Sequence, residues 1–219
     1  MADRTQFDRA LSYLKVRPTA AQTQLLERYV AFLREWNRKI NLVSRRETDY
    51  LWTRHVLPSI APLAQIDIGE EISLLDVGSG GGFPAIPLKI LRPDLQIVMV
   101  ESVGKKARFL NEAVRHLGLN NTFVYRQRLE EMSSNSQFAG RFQWLTARAV
   151  AGIPRLLEWG APFLQKGGKM LLWKGTADIP ELESACRKYS VKPKIYYPPP
   201  ELREMLEKMK NSCWFLIPF

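Results

Sequence analysis

The residues best placed by type and spacing to do chemistry lie between Asp76 and Glu101. Gly78, Gly80, Gly81 and Gly82 crowd together with only Ser79 among them, directly after the apolar run Ile72–Val77. Glycine tolerates positive φ and lets a ligand approach the backbone closely. Asp76 precedes the first glycine, giving Asp-x-Gly-x-Gly-x-Gly, and Glu101 comes nineteen residues after Gly82. At the carboxyl end of the first strand of an open α/β sheet such a loop meets a ligand, and an acid ending the next strand accepts hydrogen bonds from ribose hydroxyls. The pattern points to a nucleoside cofactor. A dinucleotide competes, because Gly80-x-Gly82-x-x-Ala85 fits a lax Gly-x-Gly-x-x-Gly/Ala pattern. Pro84, however, removes an amide near the helix start, where pyrophosphate needs donors. S-adenosylmethionine carries no phosphate and tolerates that loss. A glycine turn without a ligand stays open beside these two readings. No Gly-Lys-Ser/Thr follows the glycines, so a Walker-type phosphate loop is absent.

Other chemistries find few residues. The two histidines, His55 and His116, stand far apart, which disfavours a multi-histidine metal site and histidine-rich catalysis; no metal is expected. Cys186 and Cys213 lack metal-type spacing and make a reduced, cytoplasmic setting the default, with a single disulfide left open. The formal net charge of +10 suits a polyanion such as nucleic acid, and equally a solvated basic surface. Met1-Ala2-Asp3-Arg4 leads into no apolar stretch, so no signal peptide is expected, and every apolar run breaks short of a membrane span. A monomer is expected, as no exposed apolar seam is evident.

Two kinds of pattern must position these residues. Residues 1–65 read as a helical region. A short helix around 5–15 breaks at Pro18, and a second carries Leu25, Leu26, Tyr29, Val30, Phe32, Leu33 and Trp36 at helical spacing. Thr19 with Gln22 three residues on is a capping box for it. A third helix is expected from about Thr48 towards Leu57. Residues 66–219 alternate strands and helices, which argues a mostly parallel sheet with helices on both faces. Strands are expected at Ile72–Val77, Gln96–Glu101, Thr122–Arg126, Phe142–Ala147, Lys169–Trp173, Val191–Tyr197 and Ser212–Pro218. Helices are expected at 85–92, 103–117, 153–165 and 178–189. With seven strands the final two could pair antiparallel.

The stretch Leu75-Asp76-Val77-Gly78-Ser79-Gly80-Gly81-Gly82-Phe83-Pro84-Ala85-Ile86-Pro87-Leu88 resembles that of the RsmG (GidB) family. The likeness continues through Glu101-Ser102-Val103-Gly104-Lys105-Lys106, Arg128-Leu129-Glu130-Glu131, Ala147-Arg148-Ala149-Val150-Ala151, Gly167-Gly168 and Lys174-Gly175. Upstream, Trp36-Asn37, Asn41-Leu42 and Arg54-His55 fit as well, so it spans roughly residues 30–175. It implies a Rossmann-like class I methyltransferase with an N-terminal helical cap. The implied activity is S-adenosylmethionine-dependent methylation of N7 of a guanine in 16S ribosomal RNA, on the RNA or the small ribosomal subunit. Under the resemblance Gly78, Gly80 and Phe83 line the cofactor, Glu101 holds the ribose, Ser102 adjoins it, and Leu129 and Glu130 flank the adenine. Arg148 reaches the cofactor or the target base, as a base or a positioning group. The chain departs from the family pattern at Pro58, where Asp is common, at Ala85, where Gly is usual, at Gln143, where an acid stands, and in Cys213–Pro218, which lacks a leading Arg.

Methyl transfer from a sulfonium is an in-line displacement that chiefly needs alignment. Guanine N7 carries no proton, so no general base is required, and no acid-base pair is visible here. Methylation at C5 of a pyrimidine needs a cysteine nucleophile beside the cofactor, and neither cysteine falls at the end of the fourth strand. Enzymes of exocyclic amines resemble one another in Asn/Asp-Pro-Pro-Tyr after that strand, where this chain has Thr146-Ala147-Arg148-Ala149. RNA would be held by phosphate contacts and reached at an unpaired base. Arg45, Arg46, Arg54, Lys105 and Lys106 are the foremost contacts, with Arg34, Arg38, Lys39 and Arg108 behind them and the aromatic rings of Tyr50 and Trp52 among them. A small-molecule methyltransferase and a non-catalytic RNA-binding module remain the alternatives.

Overall fold

The computed structural model describes residues 2–132 and 136–219. Two helices open the chain, α1 (Ala2–Leu14) and α2 (Ala20–Asn37). The expected capping box starts α2: the Thr19 hydroxyl accepts from the Gln22 amide, and the Gln22 side chain accepts from the Thr19 amide. The third helical stretch is more broken than its periodicity predicts. It runs as a 3₁₀ turn (Arg45–Tyr50), a π turn (Trp52–Val56), a short α3 (Leu57–Ile60) and a second 3₁₀ turn (Ala61–Ala64). Pro58 and Pro62 each lie in the first turn of the last two segments, where a missing amide is harmless. The buried Asp3 of α1 fixes the π turn, its carboxylate accepting from the Trp52 and Thr53 amides and the Thr53 hydroxyl.

Strands and helices then alternate as β1 (Ser73–Val77), α4 (Ala85–Leu91), β2 (Gln96–Val100), α5 (Gly104–Leu117), β3 (Thr122–Tyr125), α6 (Leu129–Met132), β4 (Phe142–Arg148), α7 (Ile153–Gly160), β5 (Leu164–Gly175), α8 (Ile179–Lys188), β6 (Lys194–Tyr196), α9 (Pro200–Met205) and β7 (Ser212–Pro218). They form one seven-stranded sheet in the order β3-β2-β1-β4-β5-β7-β6. The pairs among β1 to β5 are parallel, while β7 runs antiparallel to both β5 and β6. The expected fold is therefore the observed one, a Rossmann-like α/β sheet. Several expectations shift, among them the strand expected at Lys169–Trp173, which runs as β5 from Leu164 to Gly175. The helix predicted to 165 stops at Gly160, because Pro162 and the start of β5 follow. Strand β6 is three residues long. The Pro-rich connection from Tyr197 holds α9, with Pro200 as its first residue.

Alternation along the strands sends successive side chains to opposite faces. Leu74 packs with α1, α2, α4 and α5, and Leu75 and Val77 pack with α6, α7 and α8. The N-terminal helices thus extend the core of one face only. Their attachment uses helix ends. Gln22 donates to the carbonyl of Leu91, the last residue of α4, and Arg28 donates to that of His116 in the last turn of α5. Carbonyls in a helix's final turn lack intrahelical partners, so α2 docks by satisfying them.

Candidate cofactor site and nucleic-acid interface

The glycine loop bends tightly across the carboxyl ends of β1 and β2. The Gly78 and Ser79 amides donate to the carbonyl of Val100 at 2.8 and 3.2 Å. Gly80, at φ +54°, turns its amide onto Glu101 Oε2 at 2.9 Å, and the Val103 amide reaches Oε1 at 2.8 Å. Glu101 is thus held by the loop on one side and the start of α5 on the other. An ionised carboxylate has about four acceptor positions, so capacity remains for the hydroxyls of a ribose. At Gly82 the backbone has φ +88°, and a Cβ would lie 2.5 Å from Ile86 Cδ1 and 3.1 Å from the Tyr29 hydroxyl. That hydroxyl donates to the Gly81 carbonyl at 2.5 Å, which ties α2 to the loop from below.

A cavity of about 310 Å³ opens beside the loop, bounded by Gly78, Ser102, Leu129, Glu130, Val150 and Trp159. Four residues named by the sequence meet here from three different strand ends. Val150 and Trp159 were not anticipated; Trp159 and Arg155 lie one turn apart on α7, a spacing that could have flagged them. Adenosine suits such a space. Apolar walls from Val77, Val100 and Leu129 would take the base, with Ser102 beside them, whereas Gly80, Phe83, Glu101 and Arg148 lie outside the lining.

Asp76 lies under the loop on the α2 face and is fully buried. Its Oδ1 accepts from the Thr146 hydroxyl at 2.7 Å, whereas Oδ2 has no partner. Burial pushes its carboxyl up to about 7, outweighing the hydroxyls that favour the anion. An unpartnered buried carboxylate oxygen below the loop suits a ligand with a positive centre, as the sulfonium and ammonium groups of S-adenosylmethionine provide. The donor set thus fits that cofactor.

Arg148 ends β4 but turns towards the N-terminal helices. Its guanidinium donates to the carbonyls of Arg54 at 2.6 Å and His55 at 3.2 Å and lies 5.9 Å from the centre of the Phe83 ring. Burial lowers its pKa to about 10, which leaves it charged at neutral pH. The His55 ring meets the other side of this cluster, 4.9 Å from Phe83. Its Nε2 is 3.4 Å from Glu47 Oε2 yet makes no hydrogen bond. Burial, with the Arg148 charge, pushes the imidazole down to about 4 and keeps it neutral. Phe83, Arg148 and His55 therefore join the glycine loop, β4 and the π turn in one packed unit. The odd residues of the family pattern sit within this frame. The Pro58 carbonyl accepts from Trp173 Nε1 at 2.6 Å, and Gln143 Oε1 accepts from the Ser73 amide at 2.8 Å. Ala85 is buried at the start of α4.

The basic residues do not form one patch. Arg34, Arg38, Lys39, Arg45 and Lys105 line a surface hollow of about 1080 Å³, together with Tyr50, Asp49 and Thr48. Lys105, four residues past Glu101, brings the hollow next to the cofactor strand. Arg46, Lys106 and Arg108 lie outside its lining, as does Arg54, which stacks on the Tyr50 ring. Trp52 also lines the hollow but is buried against Phe7. Trp36 is half-buried against Phe32 and Phe109. Cys186 and Cys213 are both buried and free. Among the described residues no helix is long and apolar enough to cross a membrane, and no cluster of three His, Cys, Asp or Glu could hold a metal ion.

Comparison with known proteins agrees with this geometry. Residues 22–206 match the model of the family described as rRNA small subunit methyltransferase G, GidB. The ribosomal RNA small subunit methyltransferase G of Streptococcus pyogenes serotype M12 is 39% identical over 168 residues, covering 76% of this chain and 71% of that one. The protein of the same name from Streptococcus sanguinis is 38% identical over 182 residues, covering 82% and 76%. Among solved structures, a SAM dependent methyltransferase from Aquifex aeolicus superposes with a TM-score of 0.60 at 11% identity, covering 84% of this chain and 97% of that one. That last likeness is one of fold. With a family match running from α2 to just past the end of α9, the chain belongs to the rRNA small subunit methyltransferase G (GidB) family and is an S-adenosylmethionine-dependent methyltransferase.

Proposed function

We propose that the chain methylates N7 of a guanine in 16S ribosomal RNA, on the free RNA or the small subunit, as a monomer in the cytoplasm. The carrying observation is that one hollow collects arginines from residues 34–45 and Lys105 from the helix that follows Glu101. In this reading residues 1–65 form the RNA-facing cap and residues 66–219 the cofactor core.

When bound, S-adenosylmethionine supplies an electrophilic methyl on sulfur. The protein's work is alignment. Glu101 takes the ribose hydroxyls, with Ser102 beside it. Leu129 and Glu130 flank the adenine, and Gly78 and Gly80 let the methionine part lie against bare backbone. Phe83 is braced by Arg148, which acts as a positioning residue between loop and cap. Guanine N7 presents a lone pair without a proton, so its methylation calls for no base. Arg45, Arg46, Arg54, Lys105 and Lys106 would neutralise phosphates.

Methyl incorporation from labelled S-adenosylmethionine into naked 16S RNA, small subunits and total tRNA tests this, followed by mass mapping of the modified guanine. Incorporation confined to tRNA, protein or a small molecule would overturn it. Failure to bind millimolar S-adenosylmethionine in calorimetry would favour a non-catalytic RNA-binding module.

A further inference from the structure

Tyr50 is the conspicuous aromatic of the basic hollow. It ends a 3₁₀ turn whose Asp49 and Thr48 also line the hollow, and its ring is 43% exposed although it is large and apolar. Exposed aromatic rings in a basic groove are a recurring device for holding unpaired bases, because every base offers a π face. One face of this ring is already covered. The Arg54 guanidinium stacks 4.2 Å from the ring centroid, and Arg54 makes no ion pair with a carboxylate among the described residues. A cation stacked on one face of a ring helps fix its orientation, and the exposed part of Tyr50 borders the hollow.

The hollow carries charges of both signs around the ring. Arg34, Arg38, Arg45 and Lys105 offer cations without a carboxylate partner among the described residues. Asp3 also lines the hollow, but its oxygens are taken by backbone amides and the Thr53 hydroxyl. Asp49 is the carboxylate left facing solvent, directly beside Tyr50. An anion there repels a phosphate and accepts from the amino groups of bases. The cations therefore suit the backbone of a strand, and the Asp49–Tyr50 pair suits a base.

We propose that Tyr50, backed by Arg54, is a stacking platform that holds one unpaired base of a single RNA strand whose phosphates run along Arg34, Arg38, Arg45 and Lys105. This rests on the RNA reading of the hollow and adds to it a base-dependent contact separate from the cofactor cavity. It makes the enzyme a reader of unstacked RNA before chemistry begins.

The test compares two fluorescein-labelled probes of equal length, a single-stranded oligoadenylate and an abasic ribose-phosphate strand, at low and at physiological salt. The intact protein should bind oligoadenylate roughly five- to 150-fold more tightly than the abasic strand. Tyr50→Ala should erase that preference and leave abasic binding as it was, while Tyr50→Phe should keep the preference. Unchanged S-adenosylmethionine affinity in both variants verifies the fold. A preference that survives in Tyr50→Ala, or is lost equally in Tyr50→Phe, overturns the platform while leaving the RNA reading intact. If the intact protein binds neither strand at low salt, the RNA reading of the hollow falls and the platform with it.

Discussion

Replacing Asp76 by Asn should make the protein's stability rise more steeply with pH in mildly acidic solution. Asp76 is fully buried, one of its oxygens has no partner, and its carboxyl is raised from an ordinary 3.8 to about 7. A carboxyl held protonated in the fold contributes stability that is present below its unfolded value and is lost as pH rises through the folded one. Between about pH 4 and pH 7 the folded state binds the extra proton, so stability falls by about 1.4 kcal/mol per pH unit, a total of roughly 4 kcal/mol. His55 works in the opposite direction. Its imidazole drops from 6.5 to about 4, so its contribution is present above pH 6.5 and is lost as pH falls to 4, a total of roughly 3 kcal/mol. In the intact protein the two slopes nearly cancel between pH 4 and 6.5. Asp76→Asn keeps an oxygen for the Thr146 hydroxyl but removes the titration. Its stability should then rise with pH more steeply than that of the intact protein over that interval. Urea denaturation at half-unit steps of pH, with intact protein and variant in matched buffers, gives the difference curve, in which all other groups drop out. Parallel curves would refute the reasoning and place the Asp76 charge in contact with water or a cation.

Four further outcomes follow from the site. Gly80→Val should abolish S-adenosylmethionine binding in calorimetry, because φ +54° is strained for a branched side chain and the amide that holds Glu101 would turn away. Glu101→Ala should weaken cofactor binding by about 1–3 kcal/mol, read by the same method, with a milder loss in Glu101→Gln, which keeps an acceptor. Arg148→Met should lower stability by about 2 kcal/mol or more in denaturant titration, since two carbonyls of the π turn lose a charged donor. Arg45→Glu should weaken RNA binding and flatten its salt dependence, with cofactor affinity unaltered; an unchanged slope against the logarithm of salt concentration would remove Arg45 from the interface.

The parts of the fold that follow from local rules were legible in the sequence. Thr19 and Gln22 marked the start of α2, and Ser212–Pro218 matched the last strand at both ends, because hydroxyl caps and apolar runs act over a few residues. The acid pair Asp76 and Glu101 was legible because strand length and loop length fix their spacing. What depends on distant partners was not. The π turn at Trp52–Val56 is set by Asp3, some fifty positions earlier. Trp52 reads as a surface aromatic among arginines, yet Phe7 and Arg4 cover it. Arg148 reads as a ligand contact from its place after β4, but the carbonyls that hold it belong to the N-terminal helices. The hollow is assembled from three separate stretches, so neither its cations nor the acid between them could be grouped by spacing alone.

The placement of β7 bears on how the chain is made. During synthesis β5 and β6 emerge before the strand that lies between them. Until residues 212–218 leave the ribosomal tunnel, β5 has one open edge and β6 has no neighbour at all. An unpaired edge invites pairing with other chains. The nascent protein therefore carries an open edge from the completion of β5 at Gly175 until residues 212–218 are free to pair, and one reversed strand closes it.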